Sequence, residues 1–227
     1  SVHQYAEEGF LKEALLNFLA LLGWSSPDHK EILSVQDIIP NFTIERLHKP
    51  PCVFDPVKLK WMNGQYIKAL PISDITSRAI PFLEKGGIPV TRVERAWLEK
   101  AFDTIRGHLE TLADAPRFMQ LYFNETFDLE DDAKRLLKDP SFLPVVNVLK
   151  QALSDHVAKS GDSINDQEFL QIQDAVKAKS GAKGKALFMP MRVAISGQTH
   201  GPELKLVVPL LGAKKTLGRV ERVLGLS

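Results

Sequence analysis

The chain has 227 residues, enough for one large domain or two to three small ones with a sizeable buried core. Its 44% hydrophobic and 25% charged content is that of an ordinary globular protein, and a formal net charge of +1 names no partner class. The single cysteine, Cys52, excludes an intramolecular disulfide and a cysteine-rich zinc site and fits a reducing compartment, and no apolar run reaches the ~18 residues of a bilayer span.

The opening "SVHQYAEEGF" lacks a Met and the basic-then-apolar pattern of a signal peptide, and reads as a chain cut from something longer. From Glu8 to Trp24, Phe10, Leu11, Ala14, Leu15, Phe18, Leu19 and Leu22 recur at helical spacing, with Gly23 as a stop. "SVQDII" predicts a short helix capped by Ser34. "FDPVKLKWMNGQYIKAL" predicts a helix capped by Asp55 with Pro56 in its first position. Gly64 inside it costs about 1 kcal/mol against Ala, so another part of the chain is expected to approach closely there.

Ser73 is a candidate cap for a helix over 74–84, and Thr91 for one whose buried stripe is Val93, Ala96, Trp97, Ala101 and Ile105. "LADAPRFMQLYF" continues as helix with an interruption at Pro116. "NETFDLEDD" is a polar junction, followed by helices over about 131–137, 143–157 and 166–178. "KLVVPLL" is β-compatible, but Pro209 argues against a central strand. The chain therefore reads as all-α, with breaks near Ile72 and Asn124.

Charge is unevenly spread. Acids crowd between Asp128 and Asp139, and bases dominate from Gly181 onward. The basic end could meet a polyanion or be a solvated helix face. "GAKGKA" fails the spacing of a phosphate loop. The six histidines are scattered without a two-histidine zinc motif, and the acids of "DLEDD" read as a solvated helix start. No complete catalytic constellation is present. In the middle of the apolar stretch Gly184–Leu204, "GKALFMPMRVAISGQTHGPEL", stands Arg192, followed by a polar, glycine-bounded turn.

That stretch, together with "EEGFLKEALLNFLALLGW" (Glu7–Trp24) and "FDPVKLKWMNGQYI" (Phe54–Ile67), resembles the C-terminal half of bacterial-type glutamyl-tRNA synthetase, a class I aminoacyl-tRNA synthetase. The likeness thins between about Ile72 and Gly181. It implies a helical stem-contact domain over 1–71 and two helical anticodon-binding subdomains over 72–123 and 124–227. The parent activates glutamate with ATP and Mg²⁺. Its HIGH-like and KMSKS-like motifs are missing from this sequence, so no cofactor is expected in this chain.

By position, the resemblance implies that Arg192 contacts the first anticodon base and that Pro202 and Leu204 lie in the loop around the first two. It places Arg46 and Lys58 on the tRNA backbone, with Trp61, Asn63 and Tyr66 holding helices together. At the third base, discriminating members carry an arginine. Here the alignment offers His108, or Arg106 from a frame shifted by two residues. The implied partner is tRNA-Glu, extending to tRNA-Gln if specificity is relaxed, for a monomeric protein of bacterial cytoplasm or an organelle with no membrane partner. Other readings stay open: surface charge for Arg46 and Lys58, an acid pair for Arg192, local loop packing for Pro202 and Leu204, and a helical module that binds a protein.

Overall fold

The computed structural model describes residues 2–47 and 53–226. Among them there is no strand; one isolated antiparallel bridge joins Trp24 to Leu47. His48 and Cys52 lie outside the described residues. The chain divides into two compact units, Ser1–Met119 and Gln120–Ser227.

The first unit begins with helices α1 (Val2–Glu7), α2 (Lys12–Gly23), α3 (Val35–Asn41) and α4 (Pro56–Ala69). Both expected caps form. Ser34 and Asp37 make a reciprocal capping box, and the Asp55 carboxylate accepts from the backbone of Val57 and Lys58. Leu15 and Phe18 of α2 pack on Leu59 and Met62 of α4, and Trp24, Leu33 and Ile38 form a second cluster. Leu19 of the expected stripe is instead 48% exposed.

Polar side chains stitch these helices together from inside. Asn63 is fully buried. Its Oδ1 accepts from the Leu11 amide at 2.8 Å and its Nδ2 donates to the Glu110 carbonyl at 2.6 Å. Asn17 accepts from the Leu33 amide at 2.8 Å, and the Tyr66 hydroxyl donates to the Leu33 carbonyl. Trp61, expected to share this work, is 45% exposed. The close approach foreseen at Gly64 is the Leu109 carbonyl, which would lie 3.0 Å from an added β-carbon.

Helices α5 (Ile72–Lys85), α6 (Arg95–Ile105) and α7 (Ala115–Phe123) follow, the first two tied to their surroundings by arginines. Arg78 on α5 makes two-pronged contacts with Glu13 on α2 and with Asp74. Several local expectations fail here. Pro71, not Ser73, precedes the helix, and the Ser73 carbonyl is taken by Ser77 and Arg95. α6 starts at Arg95 after a 3₁₀ turn, so its buried face is Leu98, Ala101, Phe102 and Ile105, while Ala96 is exposed. Pro116 does not interrupt α7. It sits in the first turn, where its missing N–H has no helical partner to lose, and the break falls at the 3₁₀ turns before it.

The second unit holds α8 (Asp131–Leu136), α9 (Phe142–Ser160), α10 (Asp166–Ser180), α11 (Lys185–Ser196), α12 (Leu204–Leu211) and α13 (Ala213–Leu224). α9 is its axis, with Phe142, Val145, Val146, Leu149 and Leu153 buried at helical spacing and α10, α11 and α13 packed on it. The β-compatible "KLVVPLL" is α12, whose Val207 and Val208 enter the core.

Burial pushes the Tyr66 hydroxyl up to about 12, partly offset by its bond to Leu33. The unfolded hydroxyl ionises near 10, so between pH 10 and 12 the unfolded state binds fewer protons and this contribution to stability is lost as pH rises. Tyr66→Phe should lower the unfolding free energy at neutral pH by about 1–3 kcal/mol, because the Leu33 carbonyl loses its donor. It should also shrink the alkaline loss of stability; urea titrations at neutral and alkaline pH measure both.

Candidate anticodon-binding site

α11 carries the arginine that stood out in the sequence. Its apolar side supplies Leu187, Met191, Ala194 and Ile195 to the core of the second unit. Arg192 leaves this helix half-buried, and its guanidinium donates to the Pro202 carbonyl at 2.9 Å. Burial pushes its pKa down from the usual guanidinium range, with nearby Glu203 opposing. The partner that orients Arg192 is thus a carbonyl on the far side of the glycine-bounded loop.

The loop is held by residues the sequence left as a solvated helix start. Gly197 ends α11 with φ of +74°, and its carbonyl accepts from the Glu130 amide at 3.2 Å. Gln198 donates to Glu130 at 3.1 Å, Thr199 donates to Asp132, and His200 lies 3.7 Å from Glu130. The Thr199 hydroxyl is the chief reason the Asp132 carboxyl sits below its ordinary range. The acids of the junction therefore clamp the loop. No periodicity could reveal this, since 68 positions separate Gln198 from Glu130.

Beneath the loop lies Arg219 on α13, only 2% exposed. It donates to Ile195 near the end of α11 at 3.1 Å, to Leu121 in the last turn of α7 at 2.7 Å, and to Asn124 at 2.6 Å. Its guanidinium also sits 5.3 Å from the Phe127 ring centroid. Lys215, one turn earlier, donates to the Tyr122 carbonyl at 3.0 Å. Two cations thus satisfy carbonyls that a helix end leaves without partners, at the pole where positive charge is favoured.

The remaining expected site residues are dispersed. Leu204 is the first residue of α12 rather than part of the loop, and its side chain is 6% exposed. Pro202 is half-buried in the loop. In the first unit, Arg106 is engaged by Asp103 at 2.8 Å and by the Leu70 carbonyl at 2.9 Å. His108 is exposed, with its ring nearly parallel to Phe118 at 5.8 Å, and the Arg117 guanidinium lies 4.7 Å from that same ring. Arg46 is exposed in a 3₁₀ turn, and Lys58 is paired with Glu31.

Residues 74–224 match the family described as "Anticodon binding domain". The chain belongs to that family. Residues 1–61 match a second family, "tRNA synthetases class I (E and Q), catalytic domain". The chain is 40% identical over 221 residues to the glutamate–tRNA ligase of Bdellovibrio bacteriovorus, covering 97% of the chain and 44% of that protein. It is 39% identical over 226 residues to that of Geobacillus stearothermophilus, covering 98% and 45%. The chain thus spans less than half the length of these curated relatives. The fold matches a crystal structure of a glutamate tRNA ligase from Elizabethkingia meningosepticum in complex with its amino acid (TM-score 0.81, 23% identity, 97% of this chain and 42% of that one). A glutamate-tRNA synthetase from Elizabethkingia anophelis matches equally, with TM-score 0.80 and 22% identity over the same shares.

No group of three His, Cys, Asp or Glu among the described residues could hold a metal ion, and neither synthetase motif is in the sequence. No described helix is long and apolar enough to cross a membrane.

A β-carbon at Gly197 would overlap the Phe127 ring, and its positive φ disfavours any side chain. Gly197→Ala is expected to destabilise the second unit by more than about 1 kcal/mol, the usual strain of a left-handed non-glycine residue. Gly181→Ala, also at positive φ but with open space around it, should cost less. Thermal unfolding of the two variants makes the comparison.

Proposed function

We propose that this chain is the tRNA-binding part of a glutamate–tRNA ligase, an enzyme that uses ATP and Mg²⁺ to attach glutamate to tRNA-Glu. Residues 1–71 contact the tRNA stem, with Arg46 and Lys58 on its backbone; 72–123 and 124–227 read the anticodon. The family match over 74–224 carries this reading. Activation chemistry is assigned to the part of the relatives that this chain does not span.

Arg192 suits a base reader. A guanidinium has five donors in a planar fork that can stack on a base while bonding its edge. The Pro202 carbonyl uses one donor and fixes the plane, and the clamped loop places Pro202 beside it. Single-stranded bases are recognised by this combination of stacking and edge contacts. Because Leu204 is buried at the start of α12, its part in base contact is taken to be support of the loop from below. At the third base, Arg106 is already engaged by Asp103 and Leu70, which favours His108 as the reader. A neutral histidine offers one donor and one acceptor, so discrimination there is weaker than with an arginine.

Arg192→Ala should weaken tRNA-Glu binding by about 1–3 kcal/mol, the size of one good base contact. A loss no larger than that of Lys159→Ala, an exposed lysine at the far end of α9, would remove Arg192 from the reading set; filter binding measures both. The full-length ligase should also charge tRNA-Gln. Strict rejection in an aminoacylation assay would overturn the relaxed reading at His108.

A further inference from the structure

Beside the clamped loop is a cleft of about 670 Å³ between α8, the turn before α9 and the start of α11. That volume is in the ~300–1,000 Å³ range of sites that take small organic groups. Arg135, Lys138 and Lys185 line it, together with Asp132 and Asp139. The two carboxylates are committed to neighbours. Asp132 accepts from Thr199 and from the Ala133 amide, and Asp139 accepts from the Ser141 hydroxyl at 2.6 Å and the Ser141 amide at 2.8 Å. These bonds hold both acids below the ordinary carboxylate range, so both stay ionised with oxygens already taken by Thr199 and Ser141. Lys138 and Lys185 are exposed, and the Arg135 side chain makes a 3.3 Å contact from its Nε to the Asp131 carbonyl. Leu136 and Met189 give the cleft an apolar wall.

Cations over an apolar wall suit a nucleotide, whose phosphate needs charge and whose base needs a face to lie against. The cleft is also tied to Arg192. Met189 stands three residues before it on α11, and Thr199 belongs to the loop whose Pro202 carbonyl holds its guanidinium. We infer that the α8–α11 cleft seats one nucleotide of the tRNA strand next to the bases read by Arg192, gripping its phosphate with Lys138, Lys185 and Arg135. This rests on the proposed tRNA-binding function. It makes the acidic junction bifunctional: Asp132 fixes the loop on one side while its own helix presents Arg135 to the strand.

The test uses the whole chain and a tRNA-Glu transcript, with affinity measured across a salt series. Lys138→Ala/Lys185→Ala should lower affinity about tenfold and flatten the log–log salt slope by about 1.4, two single-strand phosphate contacts at ~0.7 each. Lys138→Arg/Lys185→Arg should restore both. Lys177→Ala/Lys179→Ala on α10 removes the same charge elsewhere and should change the slope by less than half as much. Circular dichroism melts check that each variant is folded. If wild type binds and the cleft variant matches either wild type or the α10 control, the cleft is not a strand site and the tRNA reading stands. If wild type fails to bind at low salt, both fall. If inorganic phosphate shifts the NMR signals of Lys138 and Lys185 while the cleft variant binds tRNA normally, the cleft is a free-anion site and the inference is overturned.

Discussion

The second unit depends on a charge buried without a carboxylate. Removing a guanidinium from water costs several kcal/mol unless its donors are met. Arg219 sets three of its five donors on carbonyls, two from helix ends and one from the junction that follows α7, while its buried Nε has no partner among the described residues. Burial pulls its pKa down to about 10, which leaves it charged at neutral pH. Because each carbonyl belongs to a different turn of chain, the side chain sets where α7 ends, where α11 ends and how the acidic junction runs between them. A lysine could not do the same, since a compact ammonium cannot span three acceptors in one plane.

The loop after α11 inherits that arrangement. Phe127 lies against Arg219 and closes the space over Gly197, so only a residue without a side chain fits the turn. From there the Glu130 and Asp132 side chains reach Gln198, Thr199 and His200, and the chain returns to give Arg192 the Pro202 carbonyl. The loop is therefore positioned from beneath by a buried cation and from the side by the half-buried Glu130 and the exposed Asp132. The acid contacts are surface bonds, individually weak and sensitive to salt. The Arg219 bonds are shielded. A rigid floor under a lightly held rim suits a site that admits a flexible single strand.

The first unit uses buried neutral side chains instead. Asn63 joins the turn before α2 to the segment before α7, and Asn17 and Tyr66 fix the approach to α3 through one residue, Leu33. Each buried amide or hydroxyl costs free energy unless bonded, so a slip of one residue in helix register would leave partners unmet. Apolar packing of Leu15 and Phe18 on Leu59 and Met62 would tolerate such a slip more readily.

The sequence by itself determined the helical class, most helix positions and the Ser34 and Asp55 caps, because these follow from periodicity and from groups within four residues of each other. It flagged a close approach at Gly64 through the cost of a glycine inside a helix, while the partner, the Leu109 carbonyl, came only from the tertiary structure. It also marked Arg192, through the mismatch of a charge in an apolar helix. It placed Ala101 and Ile105 correctly in the buried face of α6 but missed Leu98 and Phe102, and it misjudged the role of Pro116, since short 3₁₀ turns shift the frame without a compositional signal. The carbonyl partners of Arg192 and Arg219, the clamp of Glu130 and Asp132 on the loop, and the engagement of Arg106 were decided only by the tertiary structure. Carbonyl acceptors exist at every position, and which one a side chain meets is fixed by packing between segments far apart in the chain.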